Sequence, residues 1–208
     1  MKRARVLFLP LFLVVSLSGC APYVAVGGKY TAGTENFEVD LPSGWRQHFS
    51  AYDPMFRQVL PDLLERRDLT KDVVRITRDG LNLQQIAIGR IALESDLPHT
   101  KRKLSKGMLP QEMAEVILDN IRSNPSMTNL KIVENAAATV AGNQGFKLLC
   151  AYKTKGGLTV KAAYYGVTVG SWHLYLVYEA PQRHYFDRDY TTFEQVKNSF
   201  RVLRKEAA

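Results

Sequence analysis

The amino-acid sequence predicts an α+β domain in which an antiparallel β-sheet is flanked by helices. The first observation behind this prediction is a set of four long runs that are predicted to be strands, in one of which Phe146, Leu148, Cys150 and Tyr152 alternate onto one face. Glycine turns at Gly142-Asn143, Gly156-Gly157 and Gly170-Ser171 separate these runs. Short turns between long neighbouring strands indicate an antiparallel meander. The second observation is that two further segments carry apolar residues at helical spacing. The four runs cover residues 130–140, 146–153, 158–169 and 172–180.

The strands predicted in the first half begin at Phe37, where Phe37, Val39 and Leu41 alternate with polar residues. Pro42-Ser43-Gly44 predicts a turn, after which Trp45 opens a second strand. A hairpin follows, because Asp79-Gly80 stands between two apolar runs, residues 73–77 and 81–93, and Asp-Gly favours a tight type I′ turn. The second run changes its apolar phase near Gln84-Gln85, which predicts a bulge.

Two helices are predicted from apolar spacing and from their termini. The first begins at Pro110, a residue suited to a first helical turn, and Asn124-Pro125 ends it. The second begins at the capping box Thr191-Thr192-Phe193-Glu194. Residues 55–67 are compatible with another helix that Pro61 restarts. The apolar side of the first helix comprises Leu109, Met113, Val116, Ile117 and Ile121, and that of the last comprises Phe193 and Val196.

The N-terminus has the pattern of an export signal. A basic segment, residues 1–5, precedes an apolar run, residues 6–17, which is shorter than the ~20 residues that a membrane-spanning helix needs. Leu17-Ser18-Gly19-Cys20 then resembles the lipobox of bacterial lipoproteins, and an ordinary signal peptide that ends near a cysteine is the alternative. The resemblance implies that the Cys20 sulfur carries diacylglycerol and that its freed amine is acylated, for example with palmitate. Ala21 rather than aspartate after the cysteine resembles lipoproteins of the outer membrane that face the periplasm.

Four parts of the chain follow from these patterns. Residues 1–19 are predicted to be the signal peptide, 20–34 a lipidated flexible tether rich in glycine, 35–203 a single domain and 204–208 a tail. Loss of the signal removes three cationic residues from a formal net charge of +8. The remaining mild excess of positive charge suits an anionic envelope surface, and nucleic acid is not expected as a partner.

Residues that could support catalysis are scattered. Cys150 is the only cysteine left beside Cys20, so no internal disulfide is expected, and its place in an alternating strand predicts a buried thiol. The nearest approach to a metal motif is Glu94-x-Asp96-x-x-His99, for which a solvated loop is the favoured interpretation. No nucleophile elbow, phosphate loop or dinucleotide fingerprint occurs in the sequence. No catalytic residue, metal or cofactor is therefore predicted. An envelope hydrolase with a dispersed site and an apolar-ligand carrier remain the alternatives to a binding module.

Two segments are candidate partner surfaces. Lys101, Arg102 and Lys103 form the densest basic cluster, and a solvated loop is the favoured interpretation there. Residues 183–189 mix aromatic and charged residues, a composition typical of recognition surfaces. The competing interpretation, which is favoured, is a helix entrance with aspartates near its start. The candidate contact residues in this segment are Arg183, His184, Tyr185 and Asp187.

The two ends of the domain resemble the PsbP-like family. The opening pattern is Phe37-x-Val39-x-Leu41-Pro42-x-Gly44-Trp45, and the closing pattern is Ser199-Phe200-Arg201-Val202. Over residues 35–203 this resemblance implies a central antiparallel sheet with helices on both faces, an α/β/α sandwich. It also implies a non-catalytic accessory or partner-binding role, without functional residues to transfer. The sequence as a whole therefore predicts an outer-membrane lipoprotein that binds an envelope protein partner.

Overall fold

A computed structural model describes residues 23–33, 36–48 and 71–203. Within these residues it contains one nine-stranded sheet and two helices, and all strand pairings there are antiparallel. In chain order the elements are β1 (Tyr23–Ala32), β2 (Phe37–His48), β3 (Lys71–Thr77), β4 (Gln85–Ala92), α1 (Pro110–Arg122), β5 (Met127–Val140), β6 (Asn143–Thr154), β7 (Thr159–Val169), β8 (Trp172–Pro181), α2 (Phe186–Ser199) and β9 (Arg201–Val202). The sheet order is β1-β2-β3-β4-β8-β7-β6-β5, and β9 pairs with β2.

The two helices pack on opposite faces of the sheet. Along β8, Leu174, Leu176 and Tyr178 belong to the large core beneath α2. Tyr175 and Val177 instead pack with the core that includes α1. Because side chains alternate between faces along a strand, this division places one helix on each face. The predicted α+β fold with a sheet between helices is confirmed, and so is the meander β5–β8.

Strand β1 replaces the flexible tether that the sequence predicts for residues 20–34. Residues 23–32 pair with β2 along their length, and the register shifts between Val26 and Gly28. The tether prediction is wrong there. Glycine and other small residues are typical of a flexible linker, but here they form an edge strand whose Ala32 is buried. The turn predicted at residues 42–44 is also wrong, since β2 runs through it and Gly44 takes a φ of 77°. The folded part thus begins no later than residue 23, while the predicted signal, the helix at residues 55–67 and the tail lie outside the described residues.

The hairpin around Asp79-Gly80 forms, but with a longer loop than the sequence predicts. Strands β3 and β4 pair as expected, and residues 78–84 connect them. The Thr77 hydroxyl donates to the Gln84 carbonyl at 2.6 Å, which closes the loop in a buried position. The change in apolar alternation near Gln84-Gln85 has another cause than the predicted bulge. Residues 81–84 lie in the loop, and the strand begins only at Gln85, so the bulge prediction is wrong. The register shift of this pair lies in β3, between Asp72 and Val74.

The helix boundaries confirm one prediction and correct two. Helix α1 spans Pro110–Arg122, but Leu109 is its N-cap and is 62% exposed, so it is not part of the buried face. Helix α2 begins at Phe186, ahead of the capping box predicted at Thr191. Phe186 packs on the Tyr178 ring at 5.1 Å, and Asp187 and Asp189 lie in the first turn, where acidic residues favour the helix dipole. Across the described ranges, neither helix is long and apolar enough to cross a membrane.

Candidate functional site

Helix α1 leaves a cavity between its C-terminal half and the sheet. The cavity has a volume of about 140 Å³. Its floor is made by inward-facing residues of β4, β6, β7 and β8, and the loop before α1 closes one side. Apolar side chains dominate this lining, so water inside it finds few partners. The main apolar lining residues are Ala87, Ile91, Leu97, Ile117, Ile121, Leu148, Ala162, Tyr164, Tyr175 and Val177.

The cavity continues into an open groove of about 450 Å³ toward the β6–β7 turn. Five residues line both spaces, so they form one cleft: Gln85, Asn124, Met127, Tyr152 and Glu179. We call the cavity and the groove together the α1-face cleft. Its combined size matches sites for small molecules, which enclose ~300–1,000 Å³. The groove adds further apolar residues to the wall, among them Leu81, Leu83, Leu158, Val160 and Pro181.

Where cavity and groove meet, a carboxylate is fixed by hydrogen bonds. Gln85 Nε2 donates to Glu179 Oε2 at 2.8 Å, and the Tyr152 hydroxyl donates to Glu179 Oε1 at 3.4 Å. Arg75 also lines the cavity at this point. These side chains give an otherwise apolar cleft a small polar patch in its middle, a feature that fixes the orientation of bound ligands in many sites.

The thiol in the cleft is not activated as a nucleophile. Cys150 is free and buried, as predicted, and lies on the cavity floor. Burial, with a contribution from the negative charge of Glu179, raises the pKa of Cys150 to about 12. A nucleophilic cysteine needs the opposite shift, because the thiolate is the reactive form. His99 lines the same cavity, and its backbone N–H donates to Asn120 Oδ1 at 3.0 Å. Cys150 is therefore unsuited to act as a nucleophile.

A stack of aromatic rings adjoins the cavity. Tyr164 lines the cavity and stacks with Phe146 and His173, and its Oη lies 2.8 Å from His173 Nε2. Burial lowers the pKa of His173 to about 3, so the imidazole is neutral at physiological pH. Among the described residues, His173 Nδ1 has no hydrogen-bond partner. Gly166 makes this stack possible, because a Cβ atom there would lie 2.6 Å from His173 Cε1.

The segment 183–189 forms the entrance of α2, which confirms the favoured interpretation. Phe186 and Asp189 are buried, and Tyr185 is a half-buried N-cap whose ring lies 5.0 Å from the Arg188 guanidinium. Arg183, His184 and Asp187 remain exposed. A partner surface formed by these exposed residues stays a prediction.

The basic loop is held by local ion pairs. Arg102 pairs with Asp119, and Lys103 Nζ lies 3.6 Å from Asp96 Oδ1. Lys101 is exposed and has a φ of 56°. Arg102 and Lys103 thus have acidic partners within the domain, and contact of this loop with a partner protein also stays a prediction.

The possible metal motif does not assemble in the structure. Glu94 accepts hydrogen bonds from the Ser105 hydroxyl and the Lys106 backbone, while Asp96 faces Lys103. Within residues 23–33, 36–48 and 71–203, no three His, Cys, Asp or Glu side chains are grouped so that they could hold a metal ion.

Sequence reasoning missed the cleft because its residues come from several separate elements. The alternation in β6 and β7 identifies which residues share a face, for example Cys150 with Tyr152 and Ala162 with Tyr164. It does not tell how much of that face α1 covers. Helix α1, with thirteen residues, spans about 20 Å, whereas the twelve residues of β6 span about 40 Å, and this difference is a signal for an uncovered area.

Comparisons with known proteins show the fold. The sequence matches no protein-family model, and the search of curated proteins found no match either. Solved structures do match. The solution structure of cyanobacterial PsbP (CyanoP) from Synechocystis has a TM-score of 0.56 and 13% identity, over 91% of this chain and 98% of that chain. The crystal structure of the Saccharomyces cerevisiae Ran-binding protein Mog1p has a TM-score of 0.51 and 9% identity, over 86% and 97%. This chain therefore has the α+β fold of the PsbP and Mog1p structures.

Proposed function

We propose that this protein is a lipid-anchored lipoprotein of the bacterial envelope whose domain is a non-catalytic binding module. The observation that carries the binding role is the α1-face cleft, which has the size of a ligand site and contains a protonated thiol in place of an activated nucleophile. Mog1p, which has the same fold, is a Ran-binding protein, so a binding role is compatible with this architecture.

The anchor in this proposal is Cys20, at the end of the lipobox-like pattern. Two or more acyl chains attach a protein stably to a bilayer, whereas one chain binds only marginally. The proposed location is the outer membrane, with the domain facing the periplasm, because Ala21 follows the cysteine. The partner in this proposal is a component of the envelope, and the protonated Cys150 thiol gives no support to the alternative of a hydrolase.

The anchor is tested by metabolic labelling with palmitate in the bacterial host. The unaltered protein is expected to take up label and to sediment with membranes, and Cys20→Ala is expected to lose both properties completely. Cys150→Ala is the matched control, because it removes the only other cysteine and is expected to keep the label. Label retained in Cys20→Ala, or lost in Cys150→Ala, would contradict the assignment of the anchor.

A further inference from the structure

We infer that the α1-face cleft binds a long-chain fatty acid, with the methyl end of its hydrocarbon chain in the cavity, the rest of the chain along the groove and its carboxylate at the open end of the groove. This inference deepens the proposed function and rests on it for the source of the ligand. Three observations carry it: the dimensions of the cleft, the distribution of polar groups along it, and its distance from the anchor.

The cleft is long and narrow enough for one acyl chain. Along β7 it extends from Tyr164, which lines the cavity, to Leu158, which precedes the strand at the groove's open end. Six residues of strand span about 20 Å. An acyl chain in a bilayer covers about 15 Å, half of the ~30 Å hydrocarbon core. A single extended chain therefore fits between the inner end of the cavity and the open groove.

The distribution of apolar and polar side chains along the cleft is complementary to a fatty acid, which has an apolar chain and one polar end. The cavity is lined mainly by apolar side chains, among them Leu97, Ile117 and Val177, and its polar lining residues include Asn120, whose side-chain oxygen already accepts a hydrogen bond. The outer rim includes Lys155, together with the side chains of Asn82 and Ser126. An ammonium group and neutral hydrogen-bonding groups at the mouth are complementary to a carboxylate. The carboxylate of Glu179 between the two ends accepts hydrogen bonds from neighbouring side chains, so methylene groups can pass it without meeting an unsatisfied oxygen.

The strand pairing places Tyr23, which follows the proposed anchor residue by three positions, near the cleft. Tyr23 pairs with His48 at the end of β2, and the preceding residue of β2, Gln47, pairs with Ile76 of β3. Arg75, the neighbour of Ile76, lines the cavity. Tyr23 thus lies two strands away from a cavity residue, or about 10 Å. Cys20 precedes Tyr23 by three residues, which span at most about 11 Å. A domain tethered in this way has its cleft within reach of bilayer-derived fatty acids.

The test is a titration of the mature chain, residues 21–208 produced without lipid, with dansyl-undecanoic acid. Saturable fluorescence enhancement that palmitic acid reverses is expected. Leu158→Asp introduces a charge into the groove wall at a residue that is already 48% exposed, and we expect at least tenfold weaker binding. Val133→Asp is the matched control: Val133 is 57% exposed on β5, outside the cleft, and its change is expected to alter binding less than twofold.

A second variant tests the inner end. Ala162→Leu fills part of the cavity floor, and we expect it to shift the preference toward shorter fatty acids while circular dichroism shows an unchanged fold. Binding that is unaffected by Leu158→Asp and Ala162→Leu, binding lost equally in Val133→Asp, or no saturable binding would overturn the inference. The palmitate labelling described above is independent of this result. If the protein is acylated but binds no fatty acid, only the proposal of a fatty-acid ligand is refuted. If it binds fatty acid but is not acylated, only the proposal of a lipid anchor is refuted.

Discussion

Lowering the pH from 7 to 4.5 is expected to reduce the free energy of unfolding by about 2.5 kcal/mol through His173 alone. Burial lowers the pKa of this histidine from 6.5 to about 3 in the folded protein. Between those two values the unfolded chain binds a proton that the folded chain does not bind. Stability therefore falls as the pH drops below 6.5, and it is unaffected by this group above that value. The contacting Tyr164 stays neutral in this range, because burial raises the pKa of its hydroxyl.

The measurement is urea unfolding of the mature chain at several pH values between 4.5 and 7. His173→Phe keeps an aromatic ring in the stack and is expected to flatten the slope in this window. His184→Asn is the matched control, since it removes an exposed histidine and is expected to leave the slope unchanged. Asp79, whose pKa is lowered chiefly by a hydrogen bond from Arg188, contributes stability that is lost below the pH 4.5 limit of this experiment. Equal slopes in the unaltered protein and His173→Phe would show that His173 is not buried in its neutral form.

Replacing Asp189 by alanine is expected to cost about 2 kcal/mol of stability. Its side chain is 1% exposed and joins the start of α2 to the β3–β4 loop. Arg78 Nη1 donates to Asp189 Oδ1 at 2.9 Å, and Arg188 Nη2 donates to Oδ2 at 2.6 Å. The buried Gln84 amide also donates to Oδ2, at 3.3 Å. Loss of the carboxylate removes the acceptor for all three donors. The cost is moderated because both arginines are partly exposed and can be hydrated.

Asp187→Ala is the matched control for this prediction. Asp187 is 85% exposed, and its contact with Lys161, at 3.7 Å, is a surface ion pair. Such pairs contribute little, so a change within about 0.5 kcal/mol is expected. Thermal and urea unfolding of both variants provide the measurement. A similar loss in the two variants, or none in Asp189→Ala, would mean that the ion pairs of Asp189 do not stabilise the junction.

These contacts explain why the composition of segment 183–189 is an ambiguous signal. Aromatic and charged residues are typical of recognition surfaces, but they also occur where a helix start is fixed to a neighbouring loop. Phe186 and Asp189 serve the second purpose here. Only the tertiary partners distinguish the two cases, and those partners, Arg78 and Gln84, lie more than a hundred residues away in sequence.

The same reasoning explains which parts of the fold are predictable. Strands β6–β8 are long, rich in aliphatic and aromatic residues and joined by short turns, so local information is sufficient to predict them. Strand β1 is an edge strand rich in glycine, and its conformation depends on pairing with β2 rather than on its own residues. Helix α2 begins before its capping-box pattern because the packing of Phe186 outweighs the local preference of Thr191.

The candidate site is less predictable than the fold. The cleft exists because α1 covers only part of one face of the sheet, and the extent of this covering is not encoded in any local sequence pattern. The alternation of Tyr152 with Cys150 assigns both to one face, but the position of α1 above that face is a tertiary property. The buried thiol of Cys150 is predictable from its place in an alternating strand, since free cysteine is among the residue types most often buried. Its neighbour Glu179 was not, since a half-buried carboxylate on a central strand becomes understandable only with Gln85 and Tyr152 beside it.

The most direct test of a ligand site on the α1 face is nuclear Overhauser spectroscopy of the mature chain with ¹³C-labelled palmitic acid. Contacts are expected between the methylene groups of the fatty acid and the methyl groups of Leu148, Val177 and Ile121, which line the cavity. Contacts confined to methyl groups of the opposite face, such as those of Leu149 and Val202, would contradict a site in this cleft.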